Sequence, residues 1–232
     1  MKEAIERILP LERDLFFALN GSDSLFLDQM MWTISGRFVW IPLFLCILFL
    51  FFYKTPRKEA FLVTLFFILL FVLSDQVSSA LFKPLFERFR PTHHPDFKEL
   101  VDMVNGYRGG RYGFISGHAT NSFGLAVFLS LLFKHRRVTF FALLWASLNS
   151  YTRIYLGVHF VSDIVGGMVA GTLLAFLLYS LYIWARVKLF QPEPSLKRIP
   201  YSPKHGELLS SFIPVYILLL VIFSPLLASL PH

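Results

Sequence analysis

Apolar residues in this chain fall into long runs separated by short polar stretches. About 20 helical residues are needed to cross a hydrocarbon core. Measured against that length, the runs predict spans near 37–53, 60–82, 116–133, 138–155, 159–187 and 213–230. The stretch 24–35 has an apolar face and a polar face, so it is expected at the interface or as an extension of the first span. The residues before it predict a short surface helix. One composition persists throughout and no repeat is visible. The expectation is a single all-α domain over 1–232, a polytopic membrane helical bundle with about six transmembrane helices.

Composition strengthens that expectation. The chain is 55% hydrophobic and only 16% charged, too little charge for the surface of a soluble domain of 232 residues. A net charge of +7 would fit a nucleic-acid binder, but the basic residues sit in short clusters between apolar runs, as in membrane loops. No nucleic-acid partner is expected. Cys46 is the single cysteine, which excludes an internal disulfide and a thiol zinc site. The mixed charges at the start (Lys2, Glu3, Glu6, Arg7, Glu12, Arg13, Asp14) do not read as a cleavable signal peptide.

Orientation comes from the short basic connections. Lys54, Arg57 and Lys58 follow the first span, Lys134, Arg136 and Arg137 the third, and Arg186, Lys188, Lys197, Arg198 and Lys204 the fifth. The positive-inside tendency makes that face cytoplasmic and puts segments 83–115 and 156–158 outside. The outer segment 83–115 is long for a connection in a packed bundle, and loops of that length are usually functional or disordered. It carries Lys83, Arg88, Arg90, Lys98, Arg108 and Arg111, with glycines at 106, 109, 110 and 113.

Three clusters stand at the outer ends of the spans. In the first, Lys83 and Arg90 flank a helix end before Pro91, a point charge and a bidentate fork suited to phosphate. Basic residues at such a place also serve as plain head-group anchors. The second, Ser116-Gly117-His118, opens the third span, where free N–H groups and the helix dipole attract anions. The third runs from Arg153 to Asp163. There His159 and Asp163 lie four apart on one helical face, so the carboxylate can fix the imidazole tautomer and leave the other nitrogen nucleophilic. A lone interfacial histidine is more often a satisfied polar residue. Three cations, two histidines, a carboxylate and a helix N-terminus on one face form the inventory for phosphoryl transfer to histidine.

The pattern Lys-x6-Arg-Pro, Ser-Gly-His, Arg-x5-His-x3-Asp resembles the type 2 phosphatidic acid phosphatases, whose active site is shared with vanadium haloperoxidases. The resemblance implies His159 as nucleophile, Asp163 as its orienting partner and His118 as the acid that protonates the leaving oxygen. Lys83, Arg90, Arg153, Ser116 and the Gly117 amide would hold the phosphoryl oxygens. Ile115 stands where proline usually precedes Ser-Gly-His, and Thr152 replaces a serine. The implied activity is hydrolysis of a lipid phosphate or diphosphate through phosphohistidine, without metal or other cofactor. Candidate substrates are lipid A, undecaprenyl diphosphate, phosphatidylglycerophosphate and phosphatidic acid. The basic, glycine-rich loop favours the first two. The implied location is a bacterial inner membrane, with the site facing the periplasm.

Other readings compete. A soluble haloperoxidase-like enzyme conflicts with the apolar spans. A lipid or anion transporter would use the same clusters for binding only, but its site is expected near the bilayer midplane. His93, His94 and Asp96, joined by His118, could suggest a metal, although the surrounding arginines would repel a cation. Asp75, among Ser74, Gln76, Ser78 and Ser79, is expected buried and paired inside the bundle. Gly166, Gly167, Ala170 and Gly171 give small-x3-small spacings that predict close helix packing.

Overall fold

The computed structural model describes residues 1–190 and 201–229, and among these it contains helices and no strand. Two short helices, α1 (Lys2–Glu6) and α2 (Leu9–Leu19), precede the bundle. Then come α3 (Leu25–Ser35) and α4 (Ile41–Phe52), which with the short turn before α4 form a pair bent by 70°. The amphipathic stretch is thus a separate helix that turns into the first span. Next, α5 (Arg57–Asp75), a π-helical segment (Gln76–Phe82) and α6 (Lys83–Phe86) run on as one 30-residue helix. The remainder is α7 (Gly117–Phe133), α8 (Arg136–Tyr155), α9 (Val161–Phe190), α10 (Pro203–Ile222) and α11 (Ser224–Leu227).

Helices stand at all six predicted places, but their limits differ. Among the described residues, three helices are long and apolar enough to cross a membrane on their own (Arg57–Phe86, Val161–Phe190 and Pro203–Ile222), and the bent pair, taken as one span, is a fourth. Six were expected. The difference arises because α7 has only 17 residues and the second half of α8 carries polar residues (Ser147, Asn149, Ser150, Thr152 and Arg153). The last helix begins ten residues before its predicted start, because His205 is buried there, its Nε2 2.6 Å from the Tyr53 carbonyl oxygen. Lys197, Arg198 and the end of the sixth predicted span lie outside the described residues.

At the centre is α7, which packs on α5, α8 and α9. Its run of small and apolar residues suits burial on every side. The predicted close packing is present: a Cβ on Gly171 would lie 2.2 Å from the Thr120 carbonyl oxygen, and one on Gly167 2.6 Å from that of Ser116. On the outer face of α5, by contrast, Phe61, Leu65, Ile68 and Val72 are exposed at helical spacing. Such an apolar stripe on the outside of a bundle fits lipid as its solvent.

The molecule has two chemically distinct ends. At one, Glu59 accepts two hydrogen bonds from Arg186 Nε at 2.8 and 2.9 Å, and His205 joins Tyr53. At the other, segment 87–116 folds over the ends of the helices and is pinned to the 156–160 connection by Thr92 N donating to Gly157 O. The three predicted clusters meet at this second end.

Candidate active site

The π-helical segment sets the first wall of the site. Residues four apart share a face here as they do in an ordinary α-helix, so Asp75, Ser79 and Lys83 form a chain. Lys83 Nζ donates to Ser79 Oγ at 3.1 Å, and Ser79 Oγ donates to Asp75 Oδ1 at 3.2 Å. Asp75 does pair, but it is exposed on the wall of a cavity instead of buried within the bundle. A left-handed residue, Glu87 (φ 46°), then ends α6 and turns the chain inward toward Arg88 and Arg90.

Arg90 is buried, and its backbone N–H donates to Arg111 O at 3.1 Å. Its side chain donates from Nε to Tyr112 O at 3.1 Å and from Nη1 to Val158 O at 3.3 Å. Burial, then the nearby Arg153, brings it down to about 10, so it remains a cation at neutral pH. Arg153 ends α8 fully buried. It donates to Ser35 Oγ and, at 3.1 Å, to Tyr107 Oη, while its Nε has no protein partner.

The second wall is the start of α7. Ser116 caps it, its Oγ accepting from Ala119 N at 3.4 Å, and Ser116 N donates to Asp163 O at 3.0 Å. That hydroxyl is buried in the capping position and Ser116 is not part of the cavity lining, whereas Gly117 and His118 are.

The third wall is the connection into α9. His159, the predicted start of the span, is buried two residues before the observed helix begins, with Nδ1 3.2 Å from Asp163 Oδ2. The same oxygen accepts from Phe160 N at 3.0 Å, and Asp163 Oδ1 accepts from Arg88 Nη1 at 2.8 Å. Burial and then Arg90, Arg153 and Lys83 hold His159 well below the ordinary histidine value, so its ring is neutral at physiological pH.

A cavity of about 450 Å³ brings Lys83, Arg90, Gly117, His118, Arg153 and His159 together. Asp163 stands behind His159, and Ser116 behind Gly117. Sequence reasoning missed several other members of the lining: Arg37, Tyr107, Asn121 and Asn149. Arg37 had been read only as the edge of a span; the polar Asn149, one turn before Arg153 in an apolar run, was the available signal. His93 and His94 diverge. His93 Nδ1 lies 3.3 Å from Thr92 Oγ1, while His94 stacks on Phe97 with ring centres 4.1 Å apart. Among the described residues no three His, Cys, Asp or Glu side chains gather as a metal group.

A family model described as PAP2 superfamily matches residues 61–186, more than half of the chain and all three clusters. The chain belongs to the PAP2 superfamily. It is 44% identical over 182 residues to a lipid A 4'-phosphatase of Porphyromonas gingivalis, covering 78% of this chain and 77% of the relative. It is 37% identical over 193 residues to a lipid A 4'-phosphatase of Bacteroides thetaiotaomicron, covering 82% and 86%. Among solved structures, the PAP2-type phosphatidylglycerolphosphate phosphatase from Bacillus subtilis superposes with a TM-score of 0.60 at 25% identity, covering 79% of this chain and 89% of that one. This PAP2 chain therefore shares its helical bundle with a membrane phosphatase.

Proposed function

We propose that this PAP2 chain is a membrane lipid phosphatase that removes the 4'-phosphate from a lipid A head group through a phosphohistidine intermediate. The observation that carries the reading is the cavity that unites Lys83, Arg90, Arg153, His118 and His159. The substrate assignment is supported by the two lipid A 4'-phosphatases that match most of the chain. The transporter alternative has no support among these relatives.

In this reading the Nδ1 side of His159 is committed to Asp163, which leaves Nε2 to attack phosphorus. Lys83, Arg90 and Arg153, with the Gly117 amide, hold the charge that develops on the phosphoryl oxygens, while the Ser116 hydroxyl caps α7 behind them. His118 gives a proton to the departing sugar oxygen, and water then hydrolyses the N–P bond. Acyl chains remain in lipid while the head group meets segment 83–115. The basic short loops support a periplasmic site on an inner membrane.

The test is phosphate release by purified protein across defined lipid phosphates: lipid A, undecaprenyl diphosphate, phosphatidylglycerophosphate and phosphatidic acid. Release from the 4'-position of lipid A in the presence of chelator, with inhibition by vanadate, is the expected result. Preference for another lipid would overturn the substrate assignment; loss of activity in chelator would overturn the mechanism.

A further inference from the structure

A second ionic network lies behind the cavity, and its far end comes from outside the segment that the superfamily matches. Glu12, on α2, is buried and accepts hydrogen bonds from three groups. Its Oε1 accepts from Arg88 Nη2 and, at 2.8 Å, from Ser162 Oγ. Its Oε2 accepts from Ser162 N at 2.8 Å, so a carboxylate from another helix caps the N-terminus of α9. Arg88 is also fully buried and gives its other nitrogen to Asp163 Oδ1 at 2.8 Å and to Ser162 Oγ at 2.6 Å. The guanidinium lies over the Phe160 ring, 4.4 Å from its centre.

This arrangement has a chemical consequence. A guanidinium fork left with one carboxylate tends to bind it through both nitrogens. Here Glu12 occupies one side of the fork, so Asp163 receives a single nitrogen on Oδ1 and keeps Oδ2 for His159 Nδ1 and Phe160 N. Glu12 also fixes Ser162, the residue between Val161 and Asp163, through both its backbone and its hydroxyl. We infer that Glu12 is a positioning residue for the phosphoryl transfer, acting through Arg88 and the start of α9 to set the Asp163 carboxylate against His159. The superfamily match covers residues 61–186, so Glu12 and α2 lie outside the matched segment. The inference rests on His159 as nucleophile and Asp163 as its partner.

Glu12→Gln tests it with almost no change in shape. Whichever way the amide turns, its NH2 faces Arg88 or the Ser162 N–H, and the charge is gone. Small misplacements of a reacting group cost on the order of 10²-fold, so kcat on a lipid phosphate is expected to fall by roughly that factor. KM should stay within about twofold, as for an effect on the chemical step alone. Phe17→Leu is the control: Phe17 lies on the same helix and meets Phe16 and Phe97 edge-on at 5.2 and 5.7 Å. It should lower Tm and leave kcat per folded molecule unchanged. In the Glu12→Gln, Arg88→Met double variant the losses should not add, because the two residues act as a unit. Unchanged kcat in Glu12→Gln, or an equal fall in Phe17→Leu, would overturn the inference, as would an activity loss in Glu12→Gln matched by loss of folded protein. If His159→Ala kept its activity, the underlying reading would fail first.

Discussion

Gly113 lies directly against Asp163: a Cβ built on it would stand 2.9 Å from Asp163 Oδ2, the oxygen that faces His159 Nδ1 at 3.2 Å. It would also approach Arg90 Cγ at 3.3 Å and His159 Nδ1 at 3.5 Å. No other residue type fits this place without moving the Asp163–His159 pair. Gly113→Ala is therefore predicted to lower kcat by about 10-fold or more, because in the proposed mechanism the displaced pair aims the nucleophile. Its effect on Tm should be small, since the glycine sits in the outer segment and not in the helical core. Kinetics beside a thermal melt would decide, and a variant with normal kcat would refute the close contact.

The pH profile follows from the charges around His159. Burial first, then Arg90, Arg153 and Lys83, hold its imidazole well below the usual value of about 6.5. In the proposed mechanism the attacking form is neutral, so the acidic limb of kcat/KM should fall below pH ~6.5. Arg90→Gln removes a repelling charge; the remaining activity should be lower and its acidic limb should move to higher pH. For stability the sign is the same. The unfolded state takes up the proton more readily, so His159 withdraws stability as pH falls below about 6.5. An acidic limb unmoved by Arg90→Gln would separate the limb from His159.

Much of the site was legible because its residues announce themselves locally. His159 and Asp163 share a face at i, i+4, Ser116-Gly117-His118 opens an apolar run, and Lys83 and Arg90 bracket a helix end before proline. What local sequence could not show was pairing across distance. Arg88 looked like one more loop cation and Glu12 like part of a mixed-charge terminus, yet 76 positions apart they are bound to each other. The π-helical turn was equally hidden. The side of the helix that carries Asp75 was hidden too: it faces the cavity, because no neighbouring helix covers it there. Span limits failed where polar residues such as His205 continue a helix through buried hydrogen bonds.

Topology gives a test independent of chemistry. Asp96 is exposed in segment 83–115, and Arg136 is exposed at the opposite end, where α8 begins. In a Cys46→Ala background, Asp96→Cys is expected to react with a membrane-impermeant thiol reagent in intact cells. Arg136→Cys should react only after the membrane is opened. The reverse pattern would invert the orientation while leaving the site itself intact.

The two histidines can be told apart by the leaving group. His159 is the one held by a carboxylate, while His118 projects into the cavity from the first turn of α7. If His159 is the nucleophile, His159→Ala should lose all turnover with every substrate. If His118 is the acid, it matters most when the leaving oxygen is a sugar or alkyl alkoxide. A positioned general acid is worth about 10²–10⁴ in rate. An aryl phosphate leaves without that help, so His118→Ala should lose far more activity on the lipid than on the aryl substrate. The same histidine is placed to activate the water that cleaves phosphohistidine. With His118→Ala, a stoichiometric burst of aryl alcohol should then precede a slow phase, and acid-labile phosphate should accumulate on the protein. A burst from His159→Ala with none from His118→Ala would exchange the two roles.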